Sequence, residues 1–395
     1  MKITIVVGGR WHAFDLAKGL YDNNHLHRII TNYPCWFVKK WGIPEDKICS
    51  LPFTFYLVKL IYKIGGERLM MKCQWFVHKW FSIRAASYLE GSELIHGWSQ
   101  WSEDSLIWAI KNGVPTVLER SSAHITEQCI LLRNEYKRIG KKWEETHKKI
   151  VSMEIREYNM CSCVAVPSLF VEESFKKYDF PSDKIYRNPL GVNVQAFESN
   201  QIKLLKSFNV IFAGSLSVRK GIQDLVNGFL LAEIQDSQLI LIGGQTTETR
   251  HFLENAPDCV IKTGHIKQNM LRKYYSLGSC FVLPSIEEGM AMVQMQALAA
   301  GLPLICSTNT GGEDLLWLSN KRPIQHEGNI KEFPAGFVIP INSPRSISYC
   351  LQLLKFNSLK QKAMSNEAKE IAKQKLSWGD YAYRSIKNYE RLVLK

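Results

Sequence analysis

The most informative stretch of the chain runs from Pro284 to Ile305 and is PSIEEGMAMVQMQALAAGLPLI. An apolar segment ends at Leu283 just before it, and the stretch predicts a strand, a loop, a helix and a second strand. In open α/β sheets, ligands bind at the carboxyl ends of the strands, where this loop lies. The amides of residues 289–291 would stand at the helix N-terminus as donors for an anion. Glu288 beside them is placed to accept hydroxyl protons from a polyol.

A second stretch, VIFAGSLSVRKGIQDL, runs from Val210 to Leu225. It predicts a strand, a turn at Gly214 and a helix entered at Gly221. Arg219 and Lys220 precede that helix, and two cations beside a helix N-terminus suit a diphosphate. The alternative is that both cations are only solvated on a surface turn.

Together these stretches resemble the signature of retaining glycosyltransferases of family 4, two-domain enzymes of the GT-B fold that use nucleotide-sugar donors. The resemblance implies that Glu288 holds donor-sugar hydroxyls and that Arg219 and Lys220 neutralise the leaving diphosphate. The family has a second Glu eight residues after the first, where this chain has Gln296, a weaker partner for a ribose hydroxyl. Ser215 stands where many members have an Arg, and Arg219 is the candidate replacement.

The amino-terminal half carries further matches. Residues 1–10 predict a buried strand that ends in a glycine turn at Gly9, which in the family lies near the diphosphate and the acceptor. Residues 114–124 predict a strand followed by a polar loop. The family likeness implies that His124 in this loop faces the donor sugar across the cleft; the alternative is a loop histidine with no role.

The length and the alternating strand and helix patterns predict an α/β protein with two Rossmann-like domains that face each other across a cleft. Residues 188–193 resemble the interdomain hinge of the family, and Trp378 opens a helix that in GT-B enzymes crosses back. The predicted domains are an acceptor-binding domain of residues 1–190 with the crossover helix 376–395, and a donor-binding domain of residues 191–375.

The chain has 395 residues and a formal net charge of +13, which predicts an acidic partner. The basic residues form no single tract and no nucleic-acid motif is recognised, so nucleic acid is not expected. Between Cys35 and Arg84, aromatic residues alternate with lysines, a pattern typical of a face at an anionic membrane surface. The alternative is that the aromatic residues form the domain core and the lysines an ordinary solvated face.

The location predicted is cytoplasmic, with a peripheral position on the inner face of the plasma membrane as an option. No signal peptide is recognised, and the longest apolar run, Leu51 to Ile64, is interrupted by Lys59 and Lys63 and is too short to span a bilayer. Ten cysteines without CxxC pairs indicate reduced thiols. The family resemblance implies that no bound metal is needed, and no Asp-x-Asp pair lies in a suitable loop, so neither a metal nor a cofactor is expected.

The predicted function is therefore a retaining hexosyltransferase that moves a sugar from a nucleotide-diphosphate donor to a saccharide or lipid-linked saccharide. Its place would be bacterial cell-surface polysaccharide synthesis: lipopolysaccharide, O-antigen or capsule. Three rival hypotheses remain: another GT-B activity, such as a nucleotide-sugar epimerase; a non-catalytic GT-B module that binds a nucleotide or a partner; and a nucleic-acid-binding protein, which would show strong salt-dependent affinity. The predicted catalytic residues are His124, Arg219, Lys220 and Glu288. The predicted donor-binding residues are Gly9, Gly214, Ser215, His265, Ile266, Gly289, Met290, Ala291, Met292 and Gln296.

Overall fold

The computed structural model describes residues 1–198 and 207–394, and the first of its two sheets is formed by residues 3–187. All of its strands are parallel, and their order is β3-β2-β1-β4-β5-β6-β7. The strands are β1 (Ile3–Val7), β2 (Leu26–Thr31), β3 (Ile48–Ser50), β4 (Leu94–Trp98), β5 (Thr116–Glu119), β6 (Cys163–Val166) and β7 (Ile185–Arg187).

The second sheet is formed by residues 208–339, in the order β10-β9-β8-β11-β12-β15-β14-β13. It is parallel except for a short antiparallel edge made by its last two strands in that order. The strands are β8 (Phe208–Ala213), β9 (Ser237–Ile242), β10 (Val260–Gly264), β11 (Cys280–Leu283), β12 (Leu304–Ser307), β13 (Ile324–His326), β14 (Ile330–Phe333) and β15 (Gly336–Ile339).

Helices connect the strands in both halves of the chain. They are α1 (Ala13–Asp22), α2 (Cys35–Val38), α3 (Phe53–Ala86), α4 (Glu103–Asn112), α5 (Ile125–Arg138), α6 (Lys148–Met160), α7 (Leu169–Lys176), α8 (Val194–Phe197), α9 (Ile222–Leu231), α10 (Thr247–Glu254), α11 (Gln268–Tyr275), α12 (Met292–Ala299), α13 (Gly312–Leu316), α14 (Pro344–Phe356), α15 (Ser358–Lys375) and α16 (Trp378–Val393). Within the described residues, none of these helices is both long and apolar enough to cross a membrane.

The central strands are mostly apolar and fully buried because helices cover both faces of each parallel sheet. Every residue of β1 and of β8 is buried. The strand order switches sides at these two strands. In the first sheet β1 lies between β2 and β4, and in the second sheet β8 lies between β9 and β11. Such switch points open a crevice at the carboxyl ends of the strands, and the loops singled out in the sequence lie there.

Two segments cross between the halves of the molecule, and they lie against each other. The Val192 amide donates to the Leu376 carbonyl at 2.7 Å. A side chain at Gly191 would come within 2.8 Å of the backbone of Trp378. The helix that follows, α16, packs on α1 of the first half. The crossover therefore places the end of the chain on the amino-terminal sheet, as expected of the GT-B fold.

Aromatic residues of the basic-aromatic segment, residues 35–84, divide between core and surface. Phe81 is fully buried, and several others are partly buried. The exposed ones are Trp36, Phe53, Tyr56, Tyr62 and Phe76. The segment thus contributes to the core and also has an exposed face, and its position at a membrane surface stays a prediction.

Candidate active site

The two loops singled out in the sequence form one surface in the structure. Gly221 has a φ of 67°, and a Cβ there would lie 2.2 Å from the Pro284 carbonyl oxygen, so the position requires glycine. The Ile286 amide donates to the Arg219 carbonyl at 2.9 Å. The loop after β8 and the loop after β11 are therefore held together by their backbones.

Lys220 and Glu288 form an ion pair across these loops, through Nζ and Oε2. Both side chains are largely but not fully buried. Burial alone would raise the pKa of Glu288, but the charges of Lys220 and Arg219 outweigh it and lower that pKa. Glu288 is therefore ionised at neutral pH and can accept hydrogen bonds from hydroxyl groups.

Arg219 binds the neighbouring carboxylate, Glu287, rather than Glu288. Its Nη2 lies 2.9 Å from Oε2 of Glu287, and its Nε donates to the Glu287 carbonyl at 2.9 Å. Nη2 also lies 3.3 Å from Oγ of Ser122, in the amino-terminal half. In the described part of the chain Nη1 has no hydrogen-bond partner, and the side chain is 34% exposed.

Glu287 joins the two halves of the molecule. It is fully buried, and its Oε1 accepts the Ala123 amide at 2.8 Å while its Oε2 accepts Nε2 of Gln128 at 2.9 Å. Close by, a Cβ on Gly289 would lie 1.9 Å from the Ser121 carbonyl oxygen. The loop after β5 is thus docked directly on the loop after β11.

The imidazole of His124 packs on its own helix and on aromatic residues of the amino-terminal half, and its role at the donor sugar stays a prediction. His124 caps the N-terminus of α5, where its Nδ1 accepts the Thr126 amide at 3.3 Å. Its ring packs against Tyr158, Phe175 and Tyr178. Burial, with a smaller contribution from a neighbouring arginine, lowers the pKa of His124 to about 4.

The physical reason for the position of His124 is the start of α5. The capping residue turns its side chain back onto its own helix, which leaves the preceding residues to cross the cleft. Among the described residues, His124 makes no hydrogen bond or ion pair with Arg219, Lys220 or Glu288.

The carboxylate at the end of β5, Glu119, belongs to a buried network. His12 and His96 lie 3.1 and 3.2 Å from its two oxygens, and the Tyr381 hydroxyl of α16 lies 3.4 Å away. Burial would raise the pKa of Glu119, but the two histidines outweigh it and lower the pKa to about 2. This network fastens the crossover helix to the first sheet.

Gln296 and the residues before it line the beginning of α12. Gln296 is buried and accepts the Tyr275 hydroxyl at 3.2 Å. The Met290 sulfur accepts the Leu190 amide of the hinge at 3.4 Å, so Met290 contacts the interdomain connection. Ala291 is the capping residue, and Met292 is the first residue of the helix.

The remaining predicted donor-binding residues lie at strand ends. Gly214 is covered by Gly243, since a Cβ on Gly243 would lie 1.8 Å from the Gly214 carbonyl oxygen. Ser215 is exposed beside it. His265, also exposed, and the half-buried Ile266 directly follow β10. At the end of β1, Gly9 is half-buried and lies against the ring of Trp11.

Sequence reasoning missed Glu287, Ser122 and Gln128, which form one of the contacts between the two halves. The only sequence feature that pointed to Glu287 was the acidic pair at 287–288, because adjacent residues in a loop can point to opposite sides. Which of the two faces the amino-terminal half depends on the tertiary structure. Among the described residues, no group of three or more His, Cys, Asp or Glu side chains is placed to hold a metal ion.

The loops that form this site lie in a part of the chain that is similar to known proteins. Residues 207–334, which include both loops, match the family model described as Glycosyl transferases group 1. An uncharacterized glycosyltransferase of Methanocaldococcus jannaschii is 25% identical over 276 residues, which are 65% of this chain and 67% of that protein. The chain therefore contains a domain of the group 1 glycosyltransferases.

Two further proteins are similar to this glycosyltransferase. The putative teichuronic acid biosynthesis glycosyltransferase TuaC of Bacillus subtilis is 28% identical over 164 residues, 39% of this chain and 40% of that protein. The crystal structure of HepE from Anabaena in complex with UDP aligns with a TM-score of 0.67, covering 99% of this chain and 100% of that one at 13% identity. The fold of this glycosyltransferase is GT-B.

Proposed function

We propose that this glycosyltransferase moves a sugar from a nucleotide-diphosphate donor and retains the anomeric configuration. The observation that carries the proposal is the Lys220–Glu288 pair, held on two joined loops at the carboxyl ends of β8 and β11. A cation for the diphosphate and a carboxylate for the sugar hydroxyls thus lie side by side. The HepE structure, which holds UDP, has the same fold.

Lys220 supplies the charge for the leaving group. The bond from the sugar to the diphosphate breaks with negative charge growing on the phosphate oxygen, and a preorganised cation there lowers the barrier. An ammonium has three N–H donors, so Lys220 can keep Glu288 and still bind phosphate oxygens. The free Nη1 edge of Arg219 is the second candidate donor for the diphosphate.

The transfer needs no protein nucleophile in this account. The acceptor oxygen attacks the same face from which the diphosphate departs, a new glycosidic bond forms, and a donor phosphate oxygen takes the acceptor proton. Glu288 and the Gly289 backbone position the sugar, and transfer proceeds without a bound metal. The loop of residues 121–123, rather than the His124 imidazole, forms the amino-terminal wall of the site.

The proposed acceptor is a saccharide or a lipid-linked saccharide, in bacterial cell-surface polysaccharide synthesis at the inner face of the plasma membrane. The relative TuaC, named for teichuronic acid biosynthesis, supports this class of acceptor. The exposed aromatic residues and lysines of the first domain support a position at the membrane.

The test is a panel of UDP-, GDP- and ADP-sugars incubated with the purified protein and with lipid extract or oligosaccharides, followed by measurement of nucleoside diphosphate release. Nuclear magnetic resonance of the product then gives its anomeric configuration. We expect release from one nucleotide class and a product with the configuration of the donor. An inverted product would contradict the retaining mechanism, and nucleotide binding without release or product would favour the non-catalytic alternative.

A further inference from the structure

The long helix α3 is a helical hairpin. Its backbone leaves the helical conformation at Gly66, which has φ 60° and ψ −155°. The rings of Phe53 and Trp80, near the two ends, are only 4.5 Å apart, whereas a straight helix would separate them by about 40 Å. The arms before and after Gly66 therefore lie side by side, and residues 59–72 form the apex.

The base of the hairpin belongs to the amino-terminal core and reaches the site. Val77 and Phe81 of the second arm are fully buried. His78 stacks on Trp101, with ring centroids 3.7 Å apart. Trp101 in turn covers the glycine turn after β1, because a Cβ on Gly8 would lie within its ring. The hairpin is thus fixed at its base to the acceptor side of the cleft.

The apex, in contrast, exposes large apolar side chains. Leu60, Tyr62 and Ile64 are 52%, 51% and 71% exposed. Soluble proteins seldom leave several such side chains exposed together at a protruding turn without a partner.

Basic side chains surround the apolar apex. Between residues 59 and 72 there are four cations and one acidic residue, Glu67, which gives a net charge of 4 − 1 = +3. The cations are Lys59, Lys63, Arg68 and Lys72. All four are exposed, and the pair of Arg68 with Glu144 at 3.4 Å leaves Arg68 87% exposed.

We propose that this apex inserts its apolar side chains into the surface of an anionic bilayer, with the surrounding cations at the lipid phosphates. Apolar side chains flanked by basic ones match the boundary between headgroups and acyl chains. A second copy of this chain would bring two apices of charge +3 together, which disfavours self-association. The inference deepens the peripheral location in the proposed function and names the element responsible for it.

The experiment is co-sedimentation of the full chain with vesicles of phosphatidylcholine alone and of phosphatidylcholine and phosphatidylglycerol in equal parts, at low and high salt. We expect binding to the anionic vesicles only, weakened by salt. The double variant Leu60→Glu/Ile64→Glu should bind roughly tenfold or more weakly. Its matched control is Ile324→Glu, at an isoleucine 61% exposed on the second sheet, which should bind like the wild type.

A second pair of variants isolates the charges: Lys59→Glu/Lys63→Glu should lose the preference for anionic vesicles, and Lys373→Glu, at an exposed lysine of α15, should keep it. Thermal unfolding establishes that each variant is folded. Equal binding to both vesicle types would overturn the proposal, and so would wild-type binding by the apex variants. Concentration-dependent dimers that the apex variants abolish would also overturn it, because the apex would then bind a second copy of the chain. Vesicle binding requires no sugar donor, so its failure is distinct from a failure of nucleoside diphosphate release.

Discussion

The Arg219 guanidinium and the Glu287 carboxylate lie 2.9 Å apart, and Glu287 binds the Ala123 amide of the other domain as well. One fully buried carboxylate thus connects the loop after β8 to the loop after β5. Removing either partner of such a pair leaves the other charge without compensation. The pair therefore contributes to stability and to the geometry of the site together.

We predict that Arg219→Ala lowers the free energy of unfolding by about 3 kcal/mol, because it leaves Glu287 buried and unpaired. Adding Glu287→Gln to that variant should restore most of the loss, since the double variant contains neither charge. Turnover should stay low in both variants because the cation is missing. Chemical denaturation and steady-state kinetics measure the two effects, and simple addition of the two single-variant losses would contradict the coupling.

The same carboxylate should control closure of the cleft. In Glu287→Ala the Ala123 amide and Gln128 lose their acceptor across the cleft, so we expect a larger radius of gyration by small-angle scattering. Saturating nucleoside diphosphate should reduce it in both proteins as the domains close on the ligand.

The matched control for this measurement is Glu313→Ala, because Glu313 pairs with Lys331 inside the second domain. Its radius of gyration should equal that of the wild type. A radius unchanged by Glu287→Ala, with nucleotide binding confirmed separately, would mean that the cleft is preformed and that Glu287 has no part in closure.

Gln296 is expected to act on donor affinity. If Gln296 holds the ribose, Gln296→Ala should weaken donor binding, measured by calorimetry, by roughly tenfold, because that polar contact is lost together with the bond to Tyr275. Gln296→Glu should bind the donor more tightly, since a carboxylate accepts hydroxyl protons more strongly than an amide. Tyr275→Phe, which removes only the hydroxyl bonded to Gln296, is the control for indirect effects. Unchanged donor affinity in both Gln296 variants would place this residue outside the site.

The sequence predicted the fold correctly and placed Lys220 and Glu288 on neighbouring loops, as the structure does, and the reason is local. The loops after β8 and β11 each follow a strand and precede a helix, so their glycines and charges fix Lys220 beside Glu288 once the two strands pair. The packing of the His124 ring could not be predicted from the sequence, because the capping geometry of α5 is a tertiary outcome that spacing does not reveal. The bend at Gly66 was missed for a related reason: a glycine pair within a helical pattern is compatible with a continuous helix.

The position of His124 predicts a pH dependence of stability. Its pKa is about 4 in the folded protein and about 6.5 when unfolded. Between these values the unfolded chain binds more protons, so stability rises with pH, is fully present above about 6.5, and is lost as pH falls towards 4. His124→Asn, which keeps a capping side chain, should remove this pH dependence, which amounts to about 3 kcal/mol between pH 6.5 and pH 4.

Denaturation of both proteins across this pH range measures the slope, and parallel curves would contradict the assignment. The same variant tests the catalytic alternative. If His124 only positions the loop of residues 121–123, His124→Asn should retain turnover within a few-fold of the wild type. A loss of turnover of roughly a hundredfold, the scale for a group that acts on the transition state, would show that His124 acts at the donor sugar.

The central claim is that Lys220 and Glu288 act on the donor from one surface, and the most direct test is donor turnover in single variants. Nucleoside diphosphate release should fall by roughly a hundredfold or more in Lys220→Ala and in Glu288→Gln. Lys273→Ala, at an exposed lysine of α11, is the control and should turn over like the wild type. Near wild-type release by Lys220→Ala and Glu288→Gln would contradict the account, because this pair would then lie outside the reaction.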